Sequence, residues 1–154
     1  MDTDAPSARP RYQALLQVLR TADTLWNCSR LFFDRWDLSP SQFNVLNLLS
    51  DAGTGLSQIE LGRLLITHRS NVTGLVDRLA TRGLVQRQEV AGDRRAYRVV
   101  LTPAGRRLLR QILPEYYQVA ETVWAGFPAG RAKRLAADLE RLRFNAERVT
   151  RKKA

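Results

Sequence analysis

The sequence predicts a mainly α-helical chain with one small β-hairpin, and three observations predict it. Two capping patterns, Ser39 to Gln42 and Ser57 to Glu60, each open an apolar run. From Val72, the residues Leu75, Val76 and Leu79 recur at the i, i+3, i+4, i+7 spacing of a helix with one buried stripe. After Gly83 that period gives way to two strand-like runs, Leu84 to Val90 and Tyr97 to Thr102. The 154 residues leave room for one ordinary domain, or for a small one elaborated with helices that pair it to a second copy.

The elements follow in order. After a Pro-containing start, Arg11 to Trp36 reads as one long helix, whose Leu15, Leu16, Val18, Leu19, Leu25, Trp26, Leu31, Phe32 and Phe33 cover too wide an arc for a single stripe. Such a helix needs partners on more than one side. In Leu38-Ser39-Pro40-Ser41-Gln42-Phe43, Ser39 caps, Pro40 suits the first helical position and Leu38 can staple onto Phe43. The helix this opens should end near Asp51-Ala52-Gly53, with the glycine taking the left-handed conformation. Leu56-Ser57-Gln58-Ile59-Glu60-Leu61 repeats the device and starts a short helix. A further start lies at Thr67 to Ser70, and Arg82-Gly83 closes the helix that follows. The hairpin turns through Ala91-Gly92-Asp93-Arg94-Arg95, with two arginines at its tip. Thr102-Pro103 caps another helix, which Pro114 should kink or divide before Gly126, and Pro128 opens a last helix with Leu135, Leu139 and Leu142 on one face.

Lys and Arg number 25 against 15 Asp and Glu, a formal net charge of +10. The excess is uneven: residues 1–36 carry +1, residues 37–102 carry +2 and residues 103–154 carry +7. Within the middle part, Thr67 to Arg98 holds seven arginines and three acids. A basic balance points to a polyanion or an acidic surface. No apolar run approaches the ~20 residues that span a bilayer, and the start has no apolar export signal, so a cytoplasmic protein without a membrane partner is expected. One cysteine, Cys28, excludes an internal disulfide, and with the single His68 it leaves too few ligands for a conventional zinc site. No metal cluster, Gly-rich phosphate loop or nucleophile-base pair stands out, so neither an enzyme nor a cofactor is expected.

Helix, short helix, polar-faced helix and basic-tipped hairpin is the order of a winged helix-turn-helix. The face opposite the Val72 stripe carries Arg69, Asn71, Thr73, Gly74 and Arg78, small and polar enough to approach another surface closely. A helix fills the major groove of DNA, and a hairpin can lay arginine against the adjacent minor groove. The segments Leu61 to Leu79, Arg82-Gly83-Leu84-Val85, Asp93-Arg94-Arg95 and Leu101-Thr102-Pro103-Ala104-Gly105 together resemble the multiple antibiotic resistance regulator (MarR) family. That resemblance implies a homodimer that binds a pseudo-palindromic double-stranded DNA operator, represses transcription and lets go when a small aromatic, phenolic or lipophilic effector arrives. It implies three parts: an N-terminal dimerisation helix (1–36), a DNA-binding lobe (37–102) and C-terminal dimerisation helices with a basic tail (103–154). It places Thr67, His68, Arg69, Ser70, Asn71 and Thr73 at the bases and Arg78 at phosphate. In the wing it assigns Asp93 to hold Arg95 extended for the minor groove, with Arg94 on the backbone.

Each residue has a plainer reading. Arg69, Asn71 and Thr73 could be a solvated helix face, and Asp93 with Arg95 an ordinary charged hairpin tip. His68 reads as a groove or surface residue rather than a proton switch. Cys28 reads as a packed, inert thiol, with no second cysteine to resolve an oxidised form. Trp26, Arg30 and Phe43 are effector-pocket candidates by family architecture, the arginine as partner for an anionic ligand. Trp26 and Phe43 could equally be core. The competing function is a winged-helix module that binds an acidic protein partner instead of DNA.

Overall fold

The computed structural model describes residues 9–66, 72–90 and 93–151, with the side chains of 93–96 excepted. It contains helices α1 (Pro10–Asp34), α2 (Pro40–Asp51), α3 (Gln58–Leu64) and α4 (Val72–Thr81), strands β1 (Val85–Val90) and β2 (Asp93–Leu101), and helices α5 (Pro103–Val123) and α6 (Arg131–Arg151). The chain divides into two compact units, 1–109 and 110–154.

Both sequence-predicted capping boxes are present. Ser39 and Gln42 exchange side-chain-to-backbone hydrogen bonds at 2.7 and 3.2 Å, and so do Ser57 and Glu60. Each box satisfies two N–H groups that a helix start leaves without partners. Helix α1 ends in a tight turn in which Leu38 N–H reaches Phe33 O and Asp37, at φ 52°, takes the left-handed position. Helix α4 ends the same way, with Gly83 at φ 66° and Leu84 N–H bonded to Leu79 O.

The core of the first unit gathers Phe33 from α1, Phe43, Val45, Leu46 and Leu49 from α2, Leu61 from α3, and Val85, Val99 and Leu101 from the hairpin. The predicted α4 stripe of Val72, Leu75, Val76 and Leu79 is buried throughout. At the base of the hairpin, Leu56 forms an antiparallel bridge with Val99, which ties the α2–α3 connection to β2. In the second unit, Trp124 packs edge-on to Phe127 at 5.3 Å beside Gly126, and α6 has no buried residue.

Three expectations are corrected, and a fourth is narrowed. Helix α2 does end at Asp51, but the left-handed residue is Gly55, not Gly53: a Cβ at Gly55 would lie 2.5 Å from Val99 O, so the bridge to β2 requires glycine there. Of the two outcomes expected at Pro114, a kink or a division, division does not occur, since α5 runs from Pro103 to Val123 through it. A proline removes one N–H donor, and the flanking turns keep their own bonds. The second strand begins at Asp93, four residues earlier than the composition suggested, because Val90 pairs with Asp93 across the tip. Asp93, Arg94 and Arg95 therefore belong to β2, whereas Ala91 and Gly92 of the predicted turn lie outside the described residues. Cys28 is exposed rather than packed, because within this chain only Phe33 of α1 is buried.

Candidate nucleic-acid interface

Thr73, Asp77, Arg78 and Thr81 lie on one exposed face of α4, opposite the buried stripe. Their spacing places them one turn apart, so they form a continuous polar strip. Thr73 and Arg78, expected at bases and phosphate respectively, both sit on it. Thr67, His68, Arg69, Ser70 and Asn71 lie outside the described residues.

Three other arginines of the basic stretch are engaged within the protein. Arg87 of β1 meets Asp77 of α4 at 2.5 Å, joining the wing to the exposed face of that helix. Arg98 of β2 donates from Nε to Thr54 O at 3.1 Å and from Nη2 to Gly55 O at 2.6 Å, and it lies 3.6 Å from the Glu60 carboxylate. Arg82 donates to the carbonyls of Trp36, at 3.0 Å, and Asp37. It thereby caps the end of α1 from the end of α4. The charge concentrated between Thr67 and Arg98 is thus partly structural. Arg78 makes no ion pair among the described residues.

Glu60 shows what this network does electrostatically. The backbone N–H and then the hydroxyl of Ser57 hold its carboxyl below the usual glutamate range, against partial desolvation, with weaker help from Arg98 and Arg63. The anion that closes the α3 cap is therefore the same one that Arg98 approaches from the wing.

The wing has a distinctive register. From Val85↔Leu101 to Glu89↔Tyr97 the pairing is regular, and then it steps so that Val90 faces Asp93. Arg94, Arg95 and Ala96 fall within that step. An interruption of this kind bends a strand and re-aims what it carries. The side chains of Asp93, Arg94 and Arg95 lie outside the described set.

The effector-pocket candidates separate. Phe43 is buried, with its ring stacked on Phe33 at 4.1 Å. Trp26 and Arg30 lie exposed on α1, four residues apart and so on one face.

Sequence reasoning missed Gln58, whose amide oxygen accepts a hydrogen bond from the Thr73 hydroxyl at 3.2 Å. It also missed the structural roles of Arg82, Arg87 and Arg98. Arg82 and Arg98 reach partners more than 40 residues away, for which no local pattern exists.

The order of elements, with its two-stranded antiparallel hairpin, is that of a winged helix, and comparison with known proteins decides the lineage. The sequence model of the MarR family matches residues 36–96. A solved probable transcriptional regulator from Pseudomonas aeruginosa is 31% identical, with 81% of this chain and 93% of that one aligned at a TM-score of 0.68. The chain belongs to the MarR family. Among curated relatives, the MarR-family chain is 33% identical over 97 residues to the Bacillus subtilis repressor YetL, covering 62% of this chain and 58% of YetL. It spans about half the length of the curated relatives it matches. It also shares its fold with Bordetella bronchiseptica BpsR, whose DNA binding is regulated by 6-hydroxynicotinic acid, at 24% identity and a TM-score of 0.74 over 88% of this chain and 94% of BpsR. Among the described residues, no helix is long and apolar enough to cross a membrane.

Proposed function

We propose that this chain is a homodimeric, DNA-binding transcriptional repressor of the MarR type, without catalytic activity, that acts in the cytoplasm and is released from a pseudo-palindromic operator by a small aromatic effector. The observation that carries the reading is the exposed polar strip of α4, held beside a hairpin whose second strand starts Asp93-Arg94-Arg95. A polar helix face backed by a fully apolar stripe suits the major groove, and an arginine-bearing wing suits the flanking minor groove. The recognition residues are Thr67, His68, Arg69, Ser70, Asn71 and Thr73, with Arg78 on phosphate and Asp93 orienting Arg95. The division into 1–36, 37–102 and 103–154 goes with it: apolar side chains such as Leu15, Leu19 and Leu31 of α1, and Leu135, Leu139 and Leu142 of α6, stand exposed in a single chain. Exposed leucines in such numbers favour a second copy.

Trp26 and Arg30 are the effector contacts this reading favours. One offers a ring to stack on and the other a cation for an anionic oxygen, and the hydroxynicotinic acid that regulates BpsR is a ligand of that chemistry. Phe43, the third candidate, is buried in its stack on Phe33.

Selection of duplexes from a random-sequence pool tests the function. Recovery of a pseudo-palindrome with half-sites about 10 bp apart is the expected outcome, and an unenriched pool would favour the protein-binding module instead. On the selected duplex, Arg95→Ala should weaken binding at fixed salt while leaving the oligomeric state unchanged. Equal binding by the variant would remove the wing from the interface.

A further inference from the structure

We propose that the face of α6 turned away from its leucines docks an acidic helix of a partner protein, with Arg134, Arg141 and Arg148 meeting carboxylates and Phe144 anchoring the contact. The inference goes beyond the DNA-binding reading and does not depend on it.

Arg134, Arg141 and Arg148 stand seven residues apart, and Ala137, Phe144 and Arg151 repeat at the same step three residues further on. In a helix of about 3.6 residues per turn these six positions form one narrow row along its length. Leu135, Leu139, Leu142 and Val149 fall about half a turn round from it. The row is thus separate from the apolar side that favours a second copy. All six residues are exposed, Phe144 at 57%. The charge in the row has one sign, and no acid of α6 falls in it. Glu140 and Glu147 lie to one side and are taken up by Arg143, at 3.9 and 2.6 Å. Arg134, Arg141, Arg148 and Arg151 form no ion pair among the described residues. A face that serves solubility alone intersperses both signs. This one sets a bare aromatic ring among cations, and aromatic and arginine side chains are the types that carry interface energy.

The repeat decides the occupant. Seven residues of helix rise about 10.5 Å, so a helix laid alongside with Glu or Asp at every seventh position presents a carboxylate to each arginine in turn. A guanidinium donates two parallel N–H bonds to one carboxylate. Ala137 is small enough for the partner to approach closely, and Phe144, one turn from both Arg141 and Arg148, supplies the apolar anchor. The same face of a second copy carries the same sign and is repelled. A lipid surface is poorly served by one phenylalanine, because helices that lie in a membrane interface bury a broad apolar face.

Two synthetic helical peptides of identical composition test this. One repeats Glu at seven-residue steps with Leu between them on the same face, and the other has that order scrambled. Binding of each labelled peptide to the full chain is read by fluorescence anisotropy, with sedimentation and thermal melting to verify assembly and fold. The patterned peptide should bind about ten-fold or more tightly than the scrambled one. Arg141→Glu and Phe144→Ala should each weaken it by about ten-fold, whereas Arg143→Gln, off the row, should not. Equal binding of the two peptides would overturn the proposal, because charge alone would then explain the attraction. So would wild-type binding of the patterned peptide by both row variants. If Arg141→Glu instead costs affinity for phosphatidylserine vesicles or for the selected duplex and leaves peptide binding intact, the row serves lipid or DNA and the proposal fails. A shift of Arg141→Glu to monomers would place the row in the pairing of copies, with the same consequence. The peptide result is read whether or not the chain binds DNA, so failure of the DNA-binding reading is seen separately.

Discussion

Glu60 joins two elements through one carboxylate: it closes the α3 capping box with Ser57 and faces Arg98 of the wing. Its proton affinity is lowered in the fold, so the contribution is fully present above the pKa of the unfolded chain and is lost as pH falls through the lower folded value. Stability should therefore decline on the acid side, and Glu60→Gln, which keeps an acceptor for the cap but has no charge to lose, should flatten that decline. Melting temperatures of both proteins from about pH 5 to about pH 3 measure it. Parallel curves would mean that other carboxylates govern the acid limb. Gly105 sets a different kind of constraint, because a Cβ there would lie 2.1 Å from Leu84 O, where the start of α5 crosses the base of the hairpin. Backbone cannot give way as a side-chain tip can. Gly105→Ala should cost about 2 kcal/mol, the usual scale for overpacking, and denaturant titration would read it as a lower midpoint with an unchanged slope.

At the scale of elements, the contacts that were legible in the sequence are the local ones. Ser39 with Gln42, Ser57 with Glu60 and the Val72 stripe each lie within a turn or two, and each appears as the spacing predicts. Ser39→Ala should accordingly weaken α2 by about 1 kcal/mol in the same titration. What was not legible depends on pairing across the chain. The start of β2 at Asp93 follows from its pairing with Val90, against the weak strand preference of Asp-Arg-Arg. The left-handed turn falls at Gly55 because Leu56 must reach Val99. The Thr73 to Gln58 bond joins α4 to α3, and neither residue has a pattern that announces the other. Arg82 is a related case. It fastens the end of α1 to the end of α4 through two carbonyls, and Arg82→Lys, which keeps the charge but loses the planar fork, should not restore the stability that Arg82→Ala removes. Equal stability of the lysine variant and the wild type would reduce Arg82 to a charge.

For the whole molecule, the net charge of +10 has two destinations. Between Thr67 and Arg98, Arg82, Arg87 and Arg98 serve the fold, and Arg69, Arg78, Arg94 and Arg95 are the arginines we propose for DNA. The larger share lies beyond residue 102, much of it on α6, where Arg143 pairs with Glu147 at 2.6 Å and approaches Glu140 at 3.9 Å. On the same helix Leu135, Leu139, Leu142, Ala146 and Val149 follow one another at alternating steps of four and three, the spacing of a helix that packs along another helix. All four of its large apolar members are exposed in the single chain. A basic helix with an unburied apolar seam is better suited to pairing with a second copy than to lying on DNA, where the seam would face water. The two assignments give opposite predictions. If the seam pairs protomers, Leu139→Glu with Leu142→Glu should yield monomers in sedimentation, and affinity for the selected two-half-site duplex should fall by about a hundred-fold or more as bivalent contact is lost. Removal of Arg151 to Ala154 should change that affinity little on this reading, because charges more than about a Debye length from a duplex are screened. If α6 instead lay on DNA, the tail deletion would be the more damaging change and the double glutamate variant would remain a dimer.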